Sequence, residues 1–361
     1  MASFDNSLYL GLRHPSEGLP GWDEFTTGVP AALREPPCTA RLKRDIAHLQ
    51  RCESATLGPS TLHVFCDLSV LLAKRGALFC IDSGTYPIAL WTLRYAACSG
   101  AAFVPFRHHD AGDLRACIRN RASGRKDLIV VTDAFCPDCG CAAPLPDYRA
   151  IATENDGLLL IDDSQALGVL GERRSGENPY GTGGGGTLPW FGLPTASTII
   201  VASLAKGFGV PLTALAGPRA FVEKYEAESF TRVHSSPPAI PTLRAMGSAI
   251  SLNREVGDAR RSKLAWNVLQ FRRRAIEAGF AVGAGLFPVQ TVYARGRPPA
   301  SRLHARLRQY GIQAVLSRGL KGHPRVRFVI TATHTIEDIE NAVQALVEAR
   351  SSPAAAFSGG A

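Results

Sequence analysis

Ile199-Ile200-Val201-Ala202-Ser203-Leu204-Ala205-Lys206-Gly207-Phe208-Gly209 is a short apolar run that ends in a serine, a lysine and two glycines. Ile199 to Ala202 reads as a buried strand, and Lys206 stands just past its end among small residues. Partial desolvation there disfavours the ammonium form and leaves a free amine able to attack a carbonyl. Leu158-Leu159-Leu160-Ile161-Asp162-Asp163-Ser164-Gln165 supplies a second buried strand, which ends in a carboxylate. An aldehyde cofactor of the pyridoxal phosphate (PLP) kind needs both groups. The lysine holds the aldehyde, and a fixed aspartate keeps the ring nitrogen protonated. Open α/β sheets bind ligands at the carboxyl ends of their strands, so these two stretches imply such a sheet with PLP at its edge.

The chain has 361 residues and 45% hydrophobic content, enough for a large core and for one large and one small domain. Its formal charge of +9 does not mark a nucleic-acid module, which would gather its charge with interleaved aromatics. The densest basic group, Arg254, Arg260, Arg261, Lys263, Arg272, Arg273 and Arg274, reads as the solvated face of a long helix. It is suited to attracting an acidic substrate such as a coenzyme A thioester, or an acidic carrier protein. Nine cysteines, an odd number, occur without an apolar signal at Met1-Ala2-Ser3-Phe4-Asp5 and without a run long enough to span a membrane. A reduced, cytoplasmic protein is the expectation. Cys136-Pro137-Asp138-Cys139-Gly140-Cys141 invites a zinc or redox reading, but the sequence has no second ligand pair at a zinc-site spacing. It reads as loop cysteines near the active site, with no metal.

Residues 1–37 read as an N-terminal arm, 38–257 as the large domain, 258–350 as a small α+β domain and 351–361 as a disordered tail. Strands Ala77 to Ile81, Ala102 to Phe106, Leu128 to Thr132 and Leu158 to Asp162 alternate with helices, the pattern of a mostly parallel sheet covered on both faces. Ser60 and Thr61 open an apolar helix; they either present its N-terminus to a phosphate or simply cap it. Gly181-Thr182-Gly183-Gly184-Gly185-Gly186 neither follows a strand nor opens a helix, so it reads as a mobile loop and not as a dinucleotide site.

Together these residues resemble the α-oxoamine synthases, fold-type I PLP-dependent transferases. The most specific piece is Asp162-Asp163-Ser164-Gln165-Ala166-Leu167-Gly168-Val169-Leu170-Gly171. The resemblance implies a seven-stranded, mostly parallel sheet in the large domain and an obligate homodimer. It implies Lys206 as the cofactor lysine, Asp162 on the pyridine nitrogen, and Ser203, Ser60 and Thr61 by the phosphate. Ser235 and Ser236 would reach the phosphate of the other subunit, and Arg318 would hold the amino-acid carboxylate. The chain departs from the family in Pro137, which stands where a serine is expected, in Val29 to Pro37, which replace a glycine-rich segment, in a missing N-terminal helix, and at two cofactor-facing positions. Tyr86 stands where a stacking histidine is expected, four residues after Asp82, and Gln165 stands where a histidine bonds the cofactor phenolate. Tyrosine keeps the stack but is a poor proton carrier at neutral pH, and an amide donates a hydrogen bond without titrating. The implied reaction is carbon–carbon bond formation between an amino acid and an acyl thioester, carried on coenzyme A or an acyl carrier protein. An aminotransferase or another PLP lyase is the alternative, and a non-catalytic scaffold the third reading.

Overall fold

The computed structural model describes residues 2–14, 18–19, 24–73, 77–96, 100–121, 127–173, 178–283, 285–293, 298–319 and 322–351. The sequence-predicted tail lies outside these beyond Ser351. The chain divides into two compact units. One comprises Leu10–Cys136 and Cys141–Ser262; the other comprises Met1–Tyr9, Pro137–Gly140 and Lys263–Ala361.

In the larger unit seven strands form one sheet: β1 (Ser54–Gly58), β2 (Leu78–Asp82), β3 (Ala102–Phe106), β4 (Leu128–Asp133), β5 (Leu158–Asp162), β6 (Thr198–Ser203) and β7 (Thr213–Gly217). Their spatial order is β1-β7-β6-β5-β4-β2-β3. Strands β2 to β6 run parallel, and β7 is antiparallel to both of its neighbours. Alternation along each strand explains why these apolar runs lie flat between two layers. Phe79, Ile81, Ile129, Val131, Leu160, Ile199 and Val201 pack on one face with Leu68 and Leu93, from helices Thr61–Ala73 and Pro87–Ala96. Leu78, Cys80, Val130, Leu159, Ile161 and Ile200 pack on the other with Ile118 and Tyr148, from helices Ala111–Arg121 and Leu145–Glu154. Each such burial stabilises by about 1.5–3 kcal/mol, and a one-residue slip would exchange the two faces, so the register is firmly set.

The strand order contains a switch point. From β2 the chain steps outward to β3, then returns to the other side of β2 as β4 and continues toward β5 and β6. Ligands of open α/β sheets bind beyond the carboxyl ends at such a point. There the last residues of β4, β5 and β6, Asp133, Asp162 and Ser203, are partly exposed, while those just before them are buried.

The smaller unit holds a four-stranded antiparallel sheet of β8 (Ala281–Val282), β9 (Val289–Tyr293), β10 (Val315–Arg318) and β11 (Pro324–Val329), in the order β8-β9-β11-β10. Helices Ala300–Gln309 and Ile336–Ser351 accompany it. The opening residues also belong to this unit: Ala2–Ser3 pair with Ile312–Gln313, and buried Phe4 stacks on His334.

Two sequence expectations change. Arg261 is not on a solvated face; it is fully buried, and its guanidinium bonds Gly168 O, Asn253 Oδ1 and Asp258 Oδ1. Only a glycine fits beside it at position 184, where a Cβ would lie 2.5 Å from Arg261 Nη1. The loop from Gly181 to Gly186 is also anchored. Gly183 N donates to Asp258 Oδ1, Asn253 Nδ2 donates to Gly183 O, and Gly186 N donates to Leu170 O. No described helix is long and apolar enough to cross a membrane.

Candidate functional site

After β6 the chain turns tightly through Lys206, closed by Leu204 N on Leu212 O and Val210 N on Leu204 O. Gly207 is required there because a Cβ would meet Leu167 O at 2.4 Å. Burial pushes the Lys206 amine below the usual lysine range, and the carboxylates of Asp162 and then Asp133 oppose that shift. Asp162 Oδ1 accepts from Ser164 N at 2.9 Å, and Ser164 Oγ accepts from Ser203 N at 2.8 Å, so one turn fastens the ends of β5 and β6 together. Its neighbour Asp163 has another task. Fully buried, it takes Thr187 N and Thr187 Oγ1 at 3.1 and 2.7 Å, and burial raises its pKa to about 7. The Asp162-Asp163 pair thus divides into one residue at the cleft and one that anchors the start of the helix Thr187–Phe191.

Asp133 joins this cluster without having been singled out by sequence. It is the cross-strand partner of Asp162 and accepts from Tyr86 N at 3.1 Å. Burial first, and then the nearby Asp162 charge, raise its pKa well above the carboxylate range. The available sequence signal was the same as for Asp162, a carboxylate directly after an apolar run.

Tyr86 precedes the helix Pro87–Ala96 and is 58% exposed, with its backbone N–H on Asp133. Gln165 follows in the turn after Asp162 and is half-buried. The remaining serines and Thr61 lie at the start of the helix Thr61–Ala73 and in the groove beside it. Ser60 Oγ bonds His63 Nδ1 at 2.7 Å and accepts His63 N at 3.4 Å, at the start of the helix that Thr61 opens. Ser235 and Ser236 line a small groove with Gly58, Pro59 and His63 of the same chain. Beneath it lies Asp67, a second residue that sequence reading passed over, which accepts from Tyr225 Oη, Ser229 Oγ, Thr231 N and Thr231 Oγ1. Those bonds hold the short helix Phe230–His234 that leads into Ser235. In the smaller unit Arg318 ends β10 exposed, whereas Arg325 and Arg327 on β11 both bond Asp138. A cavity of about 300 Å³ opens in the larger unit between Asp45, Arg51, Glu172, Gly183 and Asp258. Lys206 and Asp162 are not among its lining residues, so chemistry and not volume locates the site.

The family model for aminotransferase class I and II matches residues 37–346. An 8-amino-7-oxononanoate synthase of Nitrosococcus oceani is 31% identical over 255 residues, 69% of this chain and 64% of that protein. The chain thus matches just under two thirds of that relative's length. A putative 8-amino-7-oxononanoate synthase 2 of Bacillus velezensis is 26% identical over 84% of this chain and 75% of its own. Among solved structures, serine palmitoyltransferase of Sphingomonas wittichii superposes with TM-score 0.83 at 17% identity, covering 96% of this chain and 86% of that one. The 8-amino-7-oxononanoate synthase of Francisella tularensis gives 0.76 at 17% identity, over 96% and 97%.

Proposed function

The chain belongs to the aminotransferase class I and II family, and from that membership we propose that it is a PLP enzyme which joins an amino acid to the acyl group of a thioester, as α-oxoamine synthases do. The observation that carries the reading is the strand-end cluster, with the partly buried amine of Lys206 under the influence of Asp162 and Asp133, the paired last residues of β5 and β4. These residues fit the cofactor. The amine is depressed toward its neutral form, and Asp162 is held in place by Ser164 N at the end of β5. When bound, PLP supplies an aldehyde for that amine and a ring that delocalises negative charge from Cα.

Lys206 would hold the aldehyde, and its Nζ would be the base for the substrate's Cα proton. Asp162 would keep the ring nitrogen protonated, Tyr86 would cover a ring face, and Gln165 would donate to the phenolate oxygen. Ser203, Ser60 and Thr61, with Ser235 and Ser236 of a second copy, hold the phosphate; Arg318 holds the substrate carboxylate. The donor is a thioester of coenzyme A or of an acyl carrier protein, and the cysteine-rich composition suits the reducing cytoplasm. To test the reaction, protein and PLP are mixed with acyl-coenzyme A and a panel of amino acids. Thiol release that depends on one amino acid is the expected outcome. Release of a 2-oxo acid in its place would mean transamination.

Association is expected to be a homodimer burying more than roughly 2,000 Å². Exposed Phe25, Leu33, Leu62, Trp91, Phe230 and Val233 give the larger unit the apolar surface for it. Light scattering at micromolar concentration checks this, and a monomer that binds PLP normally contradicts it. For Tyr86, the exposed ring predicts that Tyr86→Phe keeps most activity. Tyr86→Ala is expected to weaken PLP retention by about 0.5–1.5 kcal/mol beyond burial, read by equilibrium titration. An inactive Tyr86→Phe with intact cofactor binding would make the phenol itself an acid or base.

A further inference from the structure

The two-residue strands Phe135–Cys136 and Cys141–Ala142 form a hairpin just after β4, in the larger unit, and Cys136 is paired with Cys141 across it. Ala143 N donates to Ala134 O at 2.9 Å and continues the ladder by one pair. Opposed residues of an antiparallel ladder have Cα atoms about 4.5–5.5 Å apart and side chains on one face. A disulfide spans roughly 4.4–6.8 Å between Cα atoms, so the register puts these two thiols at bonding range. Only a tightening of the Cβ atoms by about an ångström is needed, to roughly 3.8 Å.

The two sulfurs have unlike surroundings. Cys141 is exposed, whereas Cys136 is 2% exposed and hydrogen-bonded to His108. His108 Nδ1 is engaged by Asp82 Oδ1 at 2.6 Å, which leaves Nε2 as the nitrogen that serves the sulfur. Asp82 is itself 1% exposed and is held by Gly84 N at 2.8 Å, His109 N at 3.0 Å and Tyr148 Oη at 3.1 Å. Gly84 leaves the space that the imidazole fills, since a Cβ there would lie 2.2 Å from His108 Nδ1. Burial works against a proton on His108, but its bonds to Asp82 and Cys136 outweigh burial and push the imidazole up to about 10. A protonated histidine beside a cysteine favours the thiolate, which is the reactive form.

We propose that Cys141 and Cys136 are a reversible redox pair that low-molecular-weight disulfides oxidise, with Cys141 as the entry point and Cys136 as the thiol that resolves the mixed disulfide. The Cys141 thiolate attacks one sulfur of the small disulfide, whose S–S bond breaks as the first small thiol leaves. The Cys136 thiolate, its proton held by His108, then attacks the Cys141 sulfur; the second small thiol leaves and takes up that proton. Two protein thiols are oxidised and one small disulfide is reduced to two thiols. Burial keeps the activated Cys136 sulfur away from reagents in bulk solvent, and the ladder presents it to its partner. Sequence spacing pointed elsewhere, to Cys136-x-x-Cys139, because the chain alone does not report that Cys139 lies in the turn and Cys141 in the ladder.

The test uses the full-length protein, first reduced and then equilibrated across ratios of reduced to oxidised glutathione, with remaining thiols trapped by alkylation and mapped by peptide mass spectrometry. Cleavage before Asp138 separates Cys136 from the other two cysteines of the hairpin, so a link between the fragments reports the disulfide. A Cys136–Cys141 link that dithiothreitol reverses is expected. Cys139→Ser should retain it, Cys141→Ser should abolish it, and Cys136→Ser should stop at glutathione held on Cys141. His108→Asn, with its fold checked by circular dichroism, should slow resolution about tenfold, seen as accumulation of the mixed disulfide on Cys141. Loss of the link in Cys139→Ser, its survival in Cys141→Ser, or a parent protein that accumulates only the mixed disulfide would overturn the pair.

Discussion

Borohydride treatment of the PLP-loaded protein is expected to fix one cofactor on the peptide containing Lys206, and Lys206→Ala should abolish that adduct and lower turnover at least about a thousandfold, ~4 kcal/mol. The lysine is singled out by its surroundings. Lys43 is committed to Glu35 and Glu226, at 2.6 and 2.5 Å, and Lys263 lies over the Trp266 ring, whereas Lys206 stands at a strand end with its ammonium form disfavoured by burial. Only the unprotonated amine attacks the aldehyde. A depressed pKa therefore means that capture of PLP by the cofactor-free protein rises with pH and levels off below the ordinary lysine value of about 10.4. Peptide mass spectrometry after reduction and stopped-flow absorbance across pH provide the two readouts. An adduct that persists on the Lys206→Ala protein, or a capture midpoint at or above the ordinary lysine range, would move the anchor elsewhere.

What made Lys206 and Asp162 legible was that each ends a continuous apolar run, and such runs mark strands covered on both faces. The same pattern held at Asp133, but ending that strand at Thr132 put the carboxylate outside it, and its importance lies in its pairing with Asp162 across β4 and β5. Asp67 and Arg261 were illegible for a different reason. Asp67 sits in an apolar helix, and its partners Tyr225, Ser229 and Thr231 come from more than 150 residues away. Arg261 lies in a stretch of exposed cations, and its burial follows from Gly168 and Gly184, which no helical periodicity reports. Local pattern thus located the groups at strand ends, while the polar groups that hold the scaffold depended on long-range contacts.

Asp162→Asn is expected to leave PLP on the protein while reducing turnover at least about a hundredfold, ~2.7 kcal/mol. A carboxylate stabilises a proton on the ring nitrogen; an amide of the same shape does not, so the ring loses its pull on the Cα electrons. The size follows from a charge pair at a partly buried site, where removal of one partner commonly costs several kcal/mol. A second readout separates this role from simple loss of structure. Asp162 is the largest of the influences that raise the Lys206 pKa against burial. Its neutralisation should therefore lower that pKa further, and the midpoint for PLP capture should move to lower pH. The compensation has a source: without the Asp162 charge, the Asp133 pKa falls, Asp133 ionises more readily, and it restores part of the support for the ammonium. The shift should accordingly be larger in Asp162→Asn with Asp133→Asn than in Asp162→Asn alone. Normal turnover in Asp162→Asn, or a capture midpoint that stays fixed in both variants, would remove Asp162 from the ring nitrogen and from the electrostatics of Lys206 alike.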